Sequence, residues 1–119
     1  MSPLSQPYNK ESSVLACSLE AIPHAGRARY HELVAHLRTA FRARTELADG
    51  YTFRLDEQSV VLTQIAEWIS MERLCCPFLT FHLEITGGTP DCHLTLTGPP
   101  GVKTILDAEF PFPPSAPLA

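Results

Sequence analysis

Between Leu79 and Thr97 the chain alternates apolar and polar residues in two runs separated by one break. Leu79, Phe81, Leu83 and Ile85 alternate with Thr80, His82, Glu84 and Thr86. After Gly87-Gly88-Thr89-Pro90, Cys92, Leu94 and Leu96 alternate with His93, Thr95 and Thr97. Successive strand side chains point to opposite faces, so each run carries one apolar face, and the glycine-rich break predicts a β-hairpin. Burying both apolar faces on one side sets the register. With Thr86 facing Asp91, Ile85 faces Cys92 and Glu84 faces His93, and a slip by one residue would turn every apolar side chain outward.

The layer that covers such a face is read from helical periodicity. Tyr30, Leu33, Val34, Leu37 and Phe41 recur at the spacing of one face of an amphipathic helix. Pro23 lies near its start, where a fixed φ helps. Arg29, Glu32, His36, Arg38, Arg42 and Arg44 occupy much of the rest, and Asp49-Gly50 is the expected stop. Val61, Ile65, Trp68, Ile69 and Glu72 form a second stripe, with Asp56 as the expected N-cap. Pro77 disfavours helical backbone at Cys76, so this helix should end near Cys75. Gly98-Pro99-Pro100-Gly101 leads into a short last helix with Val102, Ile105 and Leu106 on its apolar side. Val14–Cys17 suits a short strand, and Tyr51, Phe53 and Leu55 a half-buried one. The expected order is β-α-β-α-β-β-α. This is an α+β two-layer sandwich of about four mainly antiparallel strands with helices on one face. Residues 1–12 read as a flexible arm, 13–110 as a single domain, and 111–119 as an extended proline-rich tail, because proline lacks the amide a helix needs. Phe110 and Phe112 are expected to pack back on the domain.

Composition narrows the function classes. The chain has 119 residues, 45% hydrophobic residues and a formal charge of −4, which suits one domain with a sizeable core. It has no run of five or six basic residues, so a nucleic-acid surface is not expected. No apolar run approaches the roughly 20 residues needed to span a bilayer, so no membrane partner is expected either. The first residues lack a basic segment followed by an apolar stretch. The expected location is therefore cytoplasmic, with the four cysteines held as thiols.

The chemistry concentrates in Trp68-Ile69-Ser70-Met71-Glu72-Arg73-Leu74-Cys75-Cys76-Pro77-Phe78. Two adjacent thiols with a third suit a soft ion such as mercury, arsenic(III), copper(I) or zinc. Cys17 supplies the third if its segment lies beside the end of the second helix. The negative pole of a helix C-terminus raises a thiol pKa, which argues against unaided nucleophilic attack, whereas a bound cation stabilises the thiolate directly. No Cys-x-x-Cys is present, so zinc-ribbon and thioredoxin-type sites are excluded. A Cys75–Cys76 disulfide would close a strained ring. Cysteine is also among the most buried residue types; Cys75 and Cys76 can equally be core filling, and Cys92 reads as core. Glu72, one turn before the thiols and on or beside the apolar stripe, is a candidate ligand, base or orienter, or else an exposed residue or a partner of Arg73.

Other candidates read as surface. His31 and His36 are five apart, which separates them by about 140° around a helix, so they do not form a zincin pair. Glu32 and His36 are spaced for a weak pair. His82, Glu84 and His93 share the outer face of the hairpin, either solvated or covered in a homodimer.

The residues Cys17-Ser18-Leu19, Glu72, Cys75, Cys76, Phe78, Phe81 and Phe110 resemble a group of small bacterial proteins. Those share an early Cys-Ser-Leu or Cys-Thr-Leu, a long helix, then Glu-Arg-x-Cys-Cys-x-Phe before a hairpin. The resemblance spans most of residues 14–112 and implies a link to heavy-metal resistance. It marks Cys17, Cys75 and Cys76 as a set. The expected function is capture of a soft metal ion by Cys17, Cys75 and Cys76 with Glu72 nearby. The alternatives are a thiol-dependent redox or transferase enzyme and a non-catalytic homodimeric interaction module.

Overall fold

The alternating segment folds as its pattern requires. β3 (Thr80–Ile85) and β4 (Asp91–Thr97) pair antiparallel, with Ile85 opposite Cys92 and Glu84 opposite His93. The computed structural model describes residues 15–56, 60 and 62–112. Before the hairpin come α1 (Arg27–Ala40), β1 (Phe41–Leu47), β2 (Gly50–Asp56) and α2 (Leu62–Cys75); α3 (Val102–Glu109) follows it. Two single turns of 3₁₀ helix, Leu19–Ala21 and His24–Gly26, lead into α1. The strands form one antiparallel sheet in the order β1-β2-β4-β3. Tyr51, Phe53 and Leu55 of β2 and Cys92, Leu94 and Leu96 of β4 share a buried cluster with residues of all three helices, while Thr52, Thr95, Arg54 and His93 line the opposite face. The fold is α+β, as expected.

The element order differs from expectation in one exchange. Leu15–Ser18 has no regular structure, and Val14 lies outside the described residues. The fourth strand is instead β1, which the helical stripe ending at Phe41 had absorbed. Phe41 satisfies either period. In the strand it pairs with Leu55 and stacks on Phe53 at 4.4 Å. As a strand, Arg44 reaches Asp107 of α3 at 2.9 Å and lies over the Tyr51 ring at 4.0 Å, and Glu46 meets Lys103. Asp49-Gly50 therefore ends a hairpin rather than a helix. A Cβ on Gly50 would fall 1.9 Å from the Leu96 carbonyl oxygen, so the β2–β4 pairing demands glycine there. The order is α-β-β-α-β-β-α.

Asp56 is not an N-cap. It closes β2, its carboxylate meets Arg42 at 3.3 Å, and α2 begins at Leu62. Residues 57–59 and Val61 lie outside the described set, as do the arm 1–12 and residues 113–119 of the tail. α2 stops at Cys75 ahead of Pro77, as the proline rule requires. α3 starts after Gly101, whose φ of 99° falls in the left-handed region open to glycine.

Trp68 sits at the centre of the core with no exposure. Phe110 and Phe81 meet it edge-on at 5.7 and 5.9 Å. Phe112 packs partly buried against the same core, so both phenylalanines return to the domain. Among the described residues, no helix is long and apolar enough to cross a membrane.

Candidate metal and thiol centre

The last carbonyls of a helix have no partner inside it. At the end of α2 the Cys75 carbonyl accepts from the Ser18 N–H at 2.8 Å. This bond ties the segment before α1 to the helix end and brings Cys17 onto Cys76. Their Cα atoms are 4.7 Å apart and they form a disulfide across a sequence separation of 59. Cys75 adds a third sulfur, and the three Sγ atoms lie within 4.8 Å of one another. Cys17 is exposed, whereas Cys75 and Cys76 are 3% and 0% exposed. A hollow of about 350 Å³ beside the disulfide is lined by Cys17, Ser18, Leu19, Glu20 and Arg27.

No family model, curated protein or solved structure matches this chain. The chemistry of the centre rests on its own atoms.

Each helix sends one polar side chain to the buried side of the sulfurs. Tyr30 of α1 meets an oxygen of Glu72 of α2 at 2.6 Å and an oxygen of Glu109 of α3 at 3.0 Å. One phenol carries one proton, so it donates to one carboxyl and accepts from the other only where that carboxyl is protonated. The second oxygens, Glu72 Oε2 and Glu109 Oε1, are buried without a hydrogen-bond partner. Glu72 is fully buried. Burial, and then the neighbouring Glu109 charge, push its pKa up to about 9, so it holds a proton at neutral pH. Burial and the Glu72 charge also raise the Tyr30 phenol and the Cys75 thiol. Cys75 is thus a poor nucleophile unaided, in the direction the helix pole indicates. The Glu109 backbone is held by Arg38, whose Nε donates to its carbonyl at 2.9 Å.

The residues marked from sequence fall into two overlapping groups about the Cys17–Cys76 pair, one with Cys75 and the other with Glu72 and Glu109, the ligand atoms of each group lying within 4.8 Å of one another. Glu72 is a buried member of the centre, not an exposed partner of Arg73. Cys92 belongs to the sheet core and is fully buried. The Cys17–Cys76 disulfide departs from the sequence expectation of four thiols, because no local spacing signals a bond between residues 59 apart. Tyr30 and Glu109 were also missed as site residues. Tyr30 was counted as stripe. Glu109 did carry a signal, since it extends Val102, Ile105 and Leu106 at helical spacing as Glu72 extends Ile65, Trp68 and Ile69. Among the surface candidates, His31 is exposed and His36 half-buried, and Glu32 pairs with Arg29 at 2.9 Å. With the disulfide closed the centre is a covalent staple.

Proposed function

We propose that the reduced protein binds a soft metal ion through Cys17, Cys75 and Cys76, with Glu72 beside them. The observation that carries this reading is the convergence of the remote Cys17 sulfur with those of the adjacent Cys75 and Cys76 within 4.8 Å. Packing does not require sulfur at all three places, least of all at exposed Cys17. Two buried thiols under one exposed thiol give an ion an entry point and then a desolvated seat. Thiolates are the binding form, and an incoming cation supplies the positive charge that burial and the helix end withhold. The ions that suit such a donor set are Hg(II), As(III), Cu(I) and Zn(II). A role in handling heavy-metal ions, as the sequence resemblance implies, fits this chemistry. The cytoplasm, where thiols stay reduced, is the compartment the reading needs.

The test is titration of the reduced chain with Hg(II), As(III) and Zn(II), repeated on Cys75→Ser and Cys76→Ser. Loss of binding in the variants is expected. Unchanged stoichiometry and affinity would eliminate the reading.

The Cys17–Cys76 disulfide favours a second reading, thiol–disulfide exchange with Cys17, the exposed residue of the pair, as the point of attack. The raised pKa of Cys75 counts against that residue as the attacking group. Alkylation rate against pH separates the readings, since an exchange enzyme needs a thiol that titrates below the unperturbed value of about 8.5.

A further inference from the structure

We propose that Glu109 completes the centre as a mixed sulfur–carboxylate metal site, whose ligands are Cys17, Cys76, Glu72 and Glu109 and whose ion is a borderline divalent cation of the zinc class. This rests on the metal-binding reading above and, for a zinc-class ion, puts the Glu72 and Glu109 carboxylates in place of the Cys75 sulfur. The Sγ atoms of Cys17 and Cys76 and one carboxylate oxygen each from Glu72 and Glu109 lie within 4.8 Å of one another. The independent observation is the pair of orphaned oxygens. Glu72 Oε2, on a side chain with no exposure, and Glu109 Oε1 are both buried without a hydrogen-bond donor. A desolvated carboxylate oxygen without a donor is costly, and two beside each other more so. A positive centre between them removes the cost.

The remaining oxygens are already engaged. The Tyr30 hydroxyl lies 2.6 Å from Glu72 Oε1 and 3.0 Å from Glu109 Oε2, leaving one free oxygen on each carboxylate. Outer partners of this kind orient metal ligands. Two sulfurs with two oxygens make a tetrahedral set for zinc, whereas copper(I) and arsenic(III) are served by sulfur alone. Loading begins with reduction. Two equivalents of a small thiol break the Cys17–Cys76 bond, leaving two thiols on the chain and one disulfide in solution. The divalent ion then displaces the protons of the donor groups it binds, which pass to solvent.

Zinc-edge X-ray absorption on the reduced, zinc-loaded full chain reads the donor set directly. Sulfur at about 2.3 Å together with oxygen at about 2.0 Å is expected, and an all-sulfur shell overturns the proposal. Competition titrations give a second readout. Glu109→Gln should weaken Zn(II) binding at least about tenfold while leaving Hg(II), which two thiolates satisfy, nearly unchanged. Equal zinc affinity in Glu109→Gln and wild type overturns the mixed site. If Cys76→Ser still weakens both ions in that case, the thiol reading stands without it; if Cys76→Ser weakens neither, both fall. Should Glu109→Gln fail to fold, the absorption spectrum of the wild-type chain decides alone.

Discussion

Glu72 continues the apolar stripe of α2 and is sealed between Tyr30, Glu109 and the Cys75 thiol, with no exposure. Its carboxyl titrates near 4.5 in an unfolded chain and at about 9 in the folded one. The native state therefore holds a proton that the unfolded state has released. Stability linked to this group is fully present below about pH 4.5 and is lost as pH rises towards 9, each pKa unit of difference being worth about 1.4 kcal/mol. Metal-free wild-type protein should lose melting temperature from pH 5 to pH 9, and Glu72→Gln should show a flatter profile. Thermal melts at several pH values check this, and parallel slopes would refute it. The residue-scale signal was legible in part. A carboxylate on an apolar stripe marked Glu72, and the same rule applied to α3 marks Glu109. Tyr30 carried no such mark, because a phenol on a buried stripe is ordinary core until its neighbours are known.

Among the elements, the hairpin and α2 follow from sequence because each has one period and a hard stop. Pro77 ends α2 and Gly87-Gly88 ends β3. The stretch Phe41–Leu47 has neither. Phe41 extends the α1 stripe, and Arg42, Ala43 and Arg44 suit a helix locally. Pairing with β2 and the contacts of Arg44 and Glu46 with α3 decide against it, which are long-range facts that periodicity does not contain. The opposite error at Leu15–Cys17 has the same origin, since Leu15 packs on the core there without a strand partner. Gly50 is the element-scale test. Gly50→Ala would push a methyl into the Leu96 carbonyl and should cost at least about 1–3 kcal/mol, measured by urea unfolding. A neutral result would contradict the β2–β4 register.

At the scale of the molecule, the disulfide closes a loop of 59 residues' separation between the segment before α1 and the end of α2. In the chain-entropy account a loop of that size is worth about 4 kcal/mol. Reduction without metal should lower the unfolding free energy by about that amount, and zinc at a hundredfold excess over its Kd should return about 2.7 kcal/mol. The ion and the disulfide are thus alternative staples for one junction, and the redox state selects between them. Denaturant melts of oxidised, reduced and reduced-plus-zinc protein test this ordering. The central claim, that these sulfurs form an ion-binding centre once reduced, is tested most directly by native mass spectrometry of the full chain after exposure to zinc and desalting. One ion per reduced chain is expected, with none on the oxidised chain and none on a Cys17→Ser/Cys76→Ser double variant. Zinc retained equally by the oxidised chain or by that variant would contradict it.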